Sequence, residues 1–132
     1  MVLTLRFKGS YYAKIDSVEG EMERLNTRCL GLAETRWTGK GHFLTDTGCT
    51  VVYSGNDTLT AAGVAVILDR GTGKSLLGYN PINERIVTVR LAARPWNVTL
   101  IQVYAPTNQA SDTVKEEVST CLQQAGQCHG VW

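Results

Sequence analysis

The sequence predicts an α/β (α+β) chain in which strands layer sheet on sheet with helices outside. Three observations carry this. Apolar residues recur at helical spacing near both ends, over about 14–27 and again over 111–124. Between them lie short apolar or alternating runs separated by Gly, Pro, Asn and Asp. No helical pattern interrupts those runs, so the order is helix, strand, further strands, helix rather than strict βαβ alternation.

The elements follow in order. Ile15, Val18, Met22 and Leu25 form an apolar stripe with Glu19, Glu21, Glu23 and Arg24 between them, an amphipathic helix weakened by Gly20. Arg28 to Ala33 reads as a buried strand that ends at Glu34, and Thr35 to Gly48 as a polar, Gly-bearing loop. Thr50 to Tyr53 is a strand, followed by a turn region from Ser54 to Thr60. The run Ala61 to Leu68 is almost continuously apolar. Its leading Ala61-Ala62-Gly63 suggests close packing against another backbone. Ser75 to Tyr79 is a short strand. Arg85–Leu91 and Val98–Tyr104 alternate and, joined through Pro95, read as an antiparallel hairpin. Val114, Val118, Cys121 and Leu122 return to helical spacing, with Ser111-Asp112 as the cap.

At 132 residues the chain has the length of one domain, or of a piece of a larger one. The net charge of +1 gives no bulk argument for nucleic acid. The charge is uneven, however. Residues 1–110 carry twelve Lys and Arg against nine Asp and Glu, a mildly basic body compatible with a phosphate-rich partner. The four cysteines show no Cys-x-x-Cys spacing, and Cys29 lies inside an apolar run, where a buried thiol is expected. No signal peptide and no run of about 20 apolar residues is seen. The expectation is therefore an intracellular, nuclear or cytoplasmic protein, not secreted and not in a membrane.

Two motifs concentrate chemistry at strand ends: Gly31-Leu32-Ala33-Glu34-Thr35-Arg36-Trp37 and Gln102-Val103-Tyr104-Ala105-Pro106-Thr107-Asn108. One offers a carboxylate, the other a phenol and a side-chain amide, groups suited to a hard cation and a phosphodiester. Taken singly, Glu34 reads as a solvated strand-end acid, Arg36 and Trp37 as a loop anchor, and Tyr104 as a packed aromatic. Gly71-Thr72-Gly73-Lys74-Ser75 imitates a phosphate loop. The Walker pattern needs a glycine where Leu68 stands, so an ordinary turn is expected.

Together, Leu32–Trp37, Ala62–Leu68, Asn83–Val87 and Gln102–Pro106 stand in an order and spacing that resembles the endonuclease/exonuclease/phosphatase superfamily. Within it the chain is most similar to the endonuclease domain of LINE-type non-LTR retrotransposons and to craniofacial development protein 2-like proteins. The resemblance covers residues 14–120, leaving 1–13 and 121–132 as atypical segments. It implies a four-layer αββα sandwich of two mixed sheets, present in part, that cleaves phosphodiesters with Mg²⁺ and takes DNA as its partner. It implies Glu34 as the metal-binding glutamate and Tyr104 as the tyrosine at the scissile phosphate. Arg85 matches a nucleic-acid backbone contact, with Arg36 beside it. Thr107 or Asn108 falls where a phosphate-contacting asparagine follows the proline.

The pattern also breaks. No asparagine precedes Asn26, whereas the family's first strand carries one. The Gly-Asp-Phe-Asn and Ser-Asp-His segments that supply its water-positioning pair and catalytic histidine do not occur, and His42 and His129 match neither. The close, Gln127 to Trp132, reads as a frameshift, an alternative exon or a truncated gene model. The expectation is the N-terminal half of such a nuclease, inactive alone. Its rivals are a non-catalytic interaction or weak nucleic-acid-binding fragment that self-associates through exposed sheet edges, and a chain with no selected protein function.

Overall fold

The computed structural model describes residues 2–6 and 11–104. In order, the elements are β1 (Val2–Arg6), α1 (Tyr11–Arg24), β2 (Cys29–Ala33), β3 (Lys40–Leu44), β4 (Thr50–Ser54), β5 (Val64–Leu68), the single turn α2 (Arg70–Gly73), β6 (Leu76–Asn83), β7 (Ile86–Leu91) and β8 (Val98–Val103). They form a five-stranded sheet of order β1-β2-β5-β4-β3 and a three-stranded sheet of order β6-β7-β8. The first is mixed, with β1 parallel to β2 and its other pairs antiparallel. The described strands of the second are all antiparallel. The fold is α+β with two sheets.

Strand alternation explains how the layers hold together, because successive side chains point to opposite faces. Leu30, Leu32, Val51, Ala65 and Ile67 point from the first sheet to Ile15, Val18 and Met22 of α1. Their neighbours Cys29, Val52, Val64, Val66 and Leu68 point the other way, onto Val87, Val89 and Leu91 of the second sheet. With both faces covered, β2 and β5 are buried along their whole length. That is why both read as continuous apolar runs rather than alternating ones.

Several boundaries differ from the sequence reading. The helix stops at Arg24 because Asn26 adopts φ 52°. Asn26 N–H then donates to the Glu23 carbonyl and Thr27 N–H to the Met22 carbonyl, a Schellman closure. Leu25, counted in the apolar stripe, falls past that end and is exposed. The stretch read as a loop from Thr35 to Gly48 contains β3, paired antiparallel with β4. Its residues Lys-Gly-His-Phe-Leu carry little β signal, and the half-buried Gly41 and Phe43 alternate with exposed neighbours. The N-terminal segment, which had no strand assigned, supplies β1. β6 runs on to Asn83 through Pro81, with register shifts at Leu76/Gly78 and Pro81/Asn83, as a proline in an edge strand allows. The phosphate-loop look-alike is the turn α2 and its exit, with Asp69 as its cap: Thr72 N–H donates to Asp69 Oδ1 at 2.7 Å. The second expected helix, over 111–124, lies outside the described residues.

Candidate phosphodiester site

Four chain segments meet at one end of the two sheets, and strand direction dictates which. β2 and β8 end there, delivering Glu34 and Tyr104. The antiparallel β5 and β7 begin there, delivering Ala62-Gly63 and Glu84-Arg85. Tyr104 and Glu34 are 70 residues apart in sequence, yet the Tyr104 hydroxyl donates to Glu34 Oε1 at 2.5 Å. Both side chains are half-buried. The structure thus brings the carboxylate and the phenol together on one rim.

Arg85 joins them. Its guanidinium carbon stands 5.0 Å from the centroid of the Tyr104 ring, within cation–π range. Its Nη1 donates to the Tyr104 carbonyl at 3.4 Å, and Tyr104 N–H donates to the Arg85 carbonyl at 2.8 Å. Arg36 is exposed on the loop two residues past Glu34. Thr107 and Asn108 lie outside the described residues. Trp37 is buried in the core, edge-on to Tyr53 at 5.9 Å and tilted against Phe43 at 6.2 Å. It anchors the loop that follows Glu34.

The backbone of this rim is strained. Glu34, Arg36 and Ala62 occupy the left-handed region at φ 57°, 59° and 55°, and Gly63 lies at φ 92°. Non-glycine residues there cost on the order of 1–3 kcal/mol each, and such strain gathers at functional sites. Three hydrogen bonds hold it. Thr35 N–H donates to the Gly63 carbonyl at 3.1 Å, Arg36 N–H to the Ala62 carbonyl at 2.7 Å, and Gly63 N–H to the Glu84 carbonyl at 2.8 Å. A Cβ on Gly63 would collide with Thr35 Oγ1 and sit 3.1 Å from the Arg36 nitrogen. The small residues before β5 therefore serve the close backbone approach that the sequence suggested.

Sequence reasoning missed Asn83, whose Oδ1 accepts Arg85 N–H at 2.8 Å and whose carbonyl accepts Ser54 Oγ at 2.6 Å. It fixes the turn that presents Arg85. The signal was an Asn just before an alternating run, because an Asn side chain readily accepts from the backbone two residues on. Two other polar side chains, His42 and Asp69, have partners away from the rim. His42 Nδ1 meets the Tyr79 hydroxyl at 2.7 Å, and Asp69 caps α2. Burial pushes the Cys29 and Cys49 thiols up, so neither offers a ready thiolate as nucleophile or metal ligand.

Among the described residues no group of three His, Cys, Asp or Glu side chains could hold a metal ion. The two described side chains seen to meet on the rim, Glu34 and Tyr104, both present oxygen. That set fits Mg²⁺, which takes oxygen ligands and keeps several waters, and is too sparse for a metal that needs a full protein cage. Two grooves, of about 600 and 780 Å³, lie at the opposite end of the sheets, beside Asn26 and Asp69. No helix of the described residues is long and apolar enough to cross a membrane.

The protein is 40% identical over 99 residues to craniofacial development protein 2 of Bos taurus. It is 37% identical over 99 residues to the protein of that name from Tragulus javanicus. Over this stretch the chain is homologous to craniofacial development protein 2. The matched stretch is 75% of this chain and 17% of either relative. No family model matches the chain. The resemblance read from the four motifs thus has its craniofacial development protein 2 component in a sequence relationship along three quarters of the chain.

Proposed function

We propose that this chain carries the glutamate-tyrosine part of a Mg²⁺-dependent, DNA-directed phosphodiester-cleaving site of retrotransposon endonuclease origin, and that these 132 residues alone hold a phosphate there without cleaving it. The hydrogen bond from Tyr104 to Glu34 carries the reading, because it joins the two residues that the endonuclease/exonuclease/phosphatase resemblance assigns to metal and scissile phosphate. Glu34 would supply one coordination position of a Mg²⁺ ion. Water and phosphate oxygens would fill the rest. When bound, the ion polarises the phosphoryl oxygens and stabilises the leaving group. Tyr104, turned from Glu34 towards a phosphate oxygen, would donate a hydrogen bond to the charge that develops there.

What argues against turnover by the isolated chain is the sequence. It has no Gly-Asp-Phe-Asn or Ser-Asp-His segment, and of its two histidines His42 is engaged by Tyr79. Groups that act as a unit lose nearly all their effect when members are missing. Incubation of supercoiled plasmid with Mg²⁺ tests this. We expect no nicking above buffer, or traces that Glu34→Ala leaves unchanged. Nicking that needs Mg²⁺ and vanishes in Glu34→Ala would show that a full catalytic set is present.

A second reading, self-association, is favoured by one observation. β8 is an outer strand among those described, and its Val98 and Ile101 are 43% and 41% exposed. Exposed apolar edge strands pair with other chains. The equally apolar β5 offers no such edge, because it is central and buried on both faces. We expect Val98→Lys with Ile101→Lys to shift sedimentation towards monomer. A parent chain that is already monomeric at high concentration would end this reading.

A further inference from the structure

We infer that Arg85 is a positioning residue for the Tyr104–Glu34 pair, acting on phosphate only through Tyr104, rather than a direct contact to the nucleic-acid backbone. The inference rests on the function proposed above. Arg85 holds Tyr104 in three ways. Its carbonyl accepts the Tyr104 N–H at 2.8 Å, its Nη1 donates to the Tyr104 carbonyl at 3.4 Å, and its guanidinium lies over the Tyr104 ring at 5.0 Å. The far end of that ring is the hydroxyl that donates to Glu34. A guanidinium over a phenol face is attracted to the ring and draws electron density from it, which strengthens the hydroxyl as a donor. It also orients the ring, so that the hydroxyl reaches Glu34 without a search over rotamers.

Arg85 is itself fixed from behind. Its N–H is taken by Asn83 Oδ1, and the preceding Glu84 carbonyl accepts the Gly63 N–H. The strained backbone beside Glu34 and the turn that presents Arg85 are thereby tied together, and the route runs from Gly63 through Glu84 and Arg85 to Tyr104. The ring-facing side of the guanidinium and one Nη1 donor are thus spent on its own neighbour, and swinging out as a mobile phosphate clamp would give up both contacts.

The test has two arms. The first needs no nucleic acid: NMR exchange of the Tyr104 hydroxyl proton, assigned by its loss in Tyr104→Phe. Arg85→Gln should speed exchange by about threefold to thirtyfold, the span that a cation–π contact of ordinary strength implies, while leaving the melting temperature near that of the parent. Arg85→Lys, which keeps a cation over the ring, should restore most of the protection. Arg85→Met, which keeps the stem, serves as a second uncharged variant. Unchanged exchange in a folded uncharged variant overturns the proposal, as does failure of both uncharged variants to fold, which would make Arg85 a purely structural residue.

The second arm measures Mg²⁺-dependent binding of a short DNA duplex in a cycle with Tyr104→Leu. If Arg85 acts through Tyr104, Arg85→Gln weakens binding in the parent and has no further effect once Tyr104 is Leu. An equal loss in both backgrounds marks a direct phosphate contact and overturns the proposal. A parent chain that binds no DNA refutes the proposed function instead, and the hydroxyl exchange then decides the role of Arg85 alone.

Discussion

Gly63→Val should lower stability by about 2–6 kcal/mol and disorganise the Glu34 rim. Two causes add. A β-branched residue at φ 92° bears a backbone penalty of about 1–3 kcal/mol. The new side chain must also push into Thr35 Oγ1 and the Arg36 backbone, an overpacking cost of about 1–3 kcal/mol. Chemical denaturation of the variant beside Gly31→Ala is the check. Gly31 is another close approach, where an added Cβ meets the far end of the Gln102 side chain, a flexible group that can swing aside. The order of damage should be Gly63→Val well above Gly31→Ala. Equal and small losses would mean that the 62–63 segment relaxes freely and does not brace the rim.

The other large effect belongs to the core. Leu32→Ala should cost about 2–5 kcal/mol, the range for a buried leucine whose cavity the surroundings cannot close. Leu32 has no exposed surface and packs between β2 and α1 with Ile15, Val18, Met22 and Ile67. It also sits two residues before Glu34, so loosening it should be felt at the rim. Thermal or urea unfolding measures the loss. A change under about 1 kcal/mol would mean that α1 does not cover this face of the sheet as described, because a lost methyl-rich contact that size requires a partner.

These two positions show why parts of the fold were legible in the sequence. A strand covered on both faces must be apolar at every position, so β2 and β5 announced themselves, and the residue after β2 stood out because it was charged. The meeting of Glu34 with Tyr104 could be anticipated only because both close such runs. β3 was invisible for the converse reason. It is an edge strand whose Lys40, His42 and Leu44 face out, and its pairing with β4 replaces any intrinsic preference. The helix end at Asn26 depended on one left-handed residue, which Asn tolerates without requiring. The stack of Arg85 on Tyr104 links the start of β7 to the end of β8. Register sets that contact, with Ile86 opposite Val103, and no local pattern encodes it.

The most direct test of the account is a residue-resolved NMR titration of the labelled chain with a short DNA duplex, with and without Mg²⁺. If Glu34 and Tyr104 hold a metal and a phosphate together, signals of Glu34, Tyr104 and Arg85 should move together only when both DNA and Mg²⁺ are present, and Glu34→Ala should abolish the Mg²⁺ dependence. Signals that move instead around Arg28, Asp69 and Leu91 at the opposite end of the sheets, or a rim that stays unchanged at saturating Mg²⁺ and DNA, would contradict it.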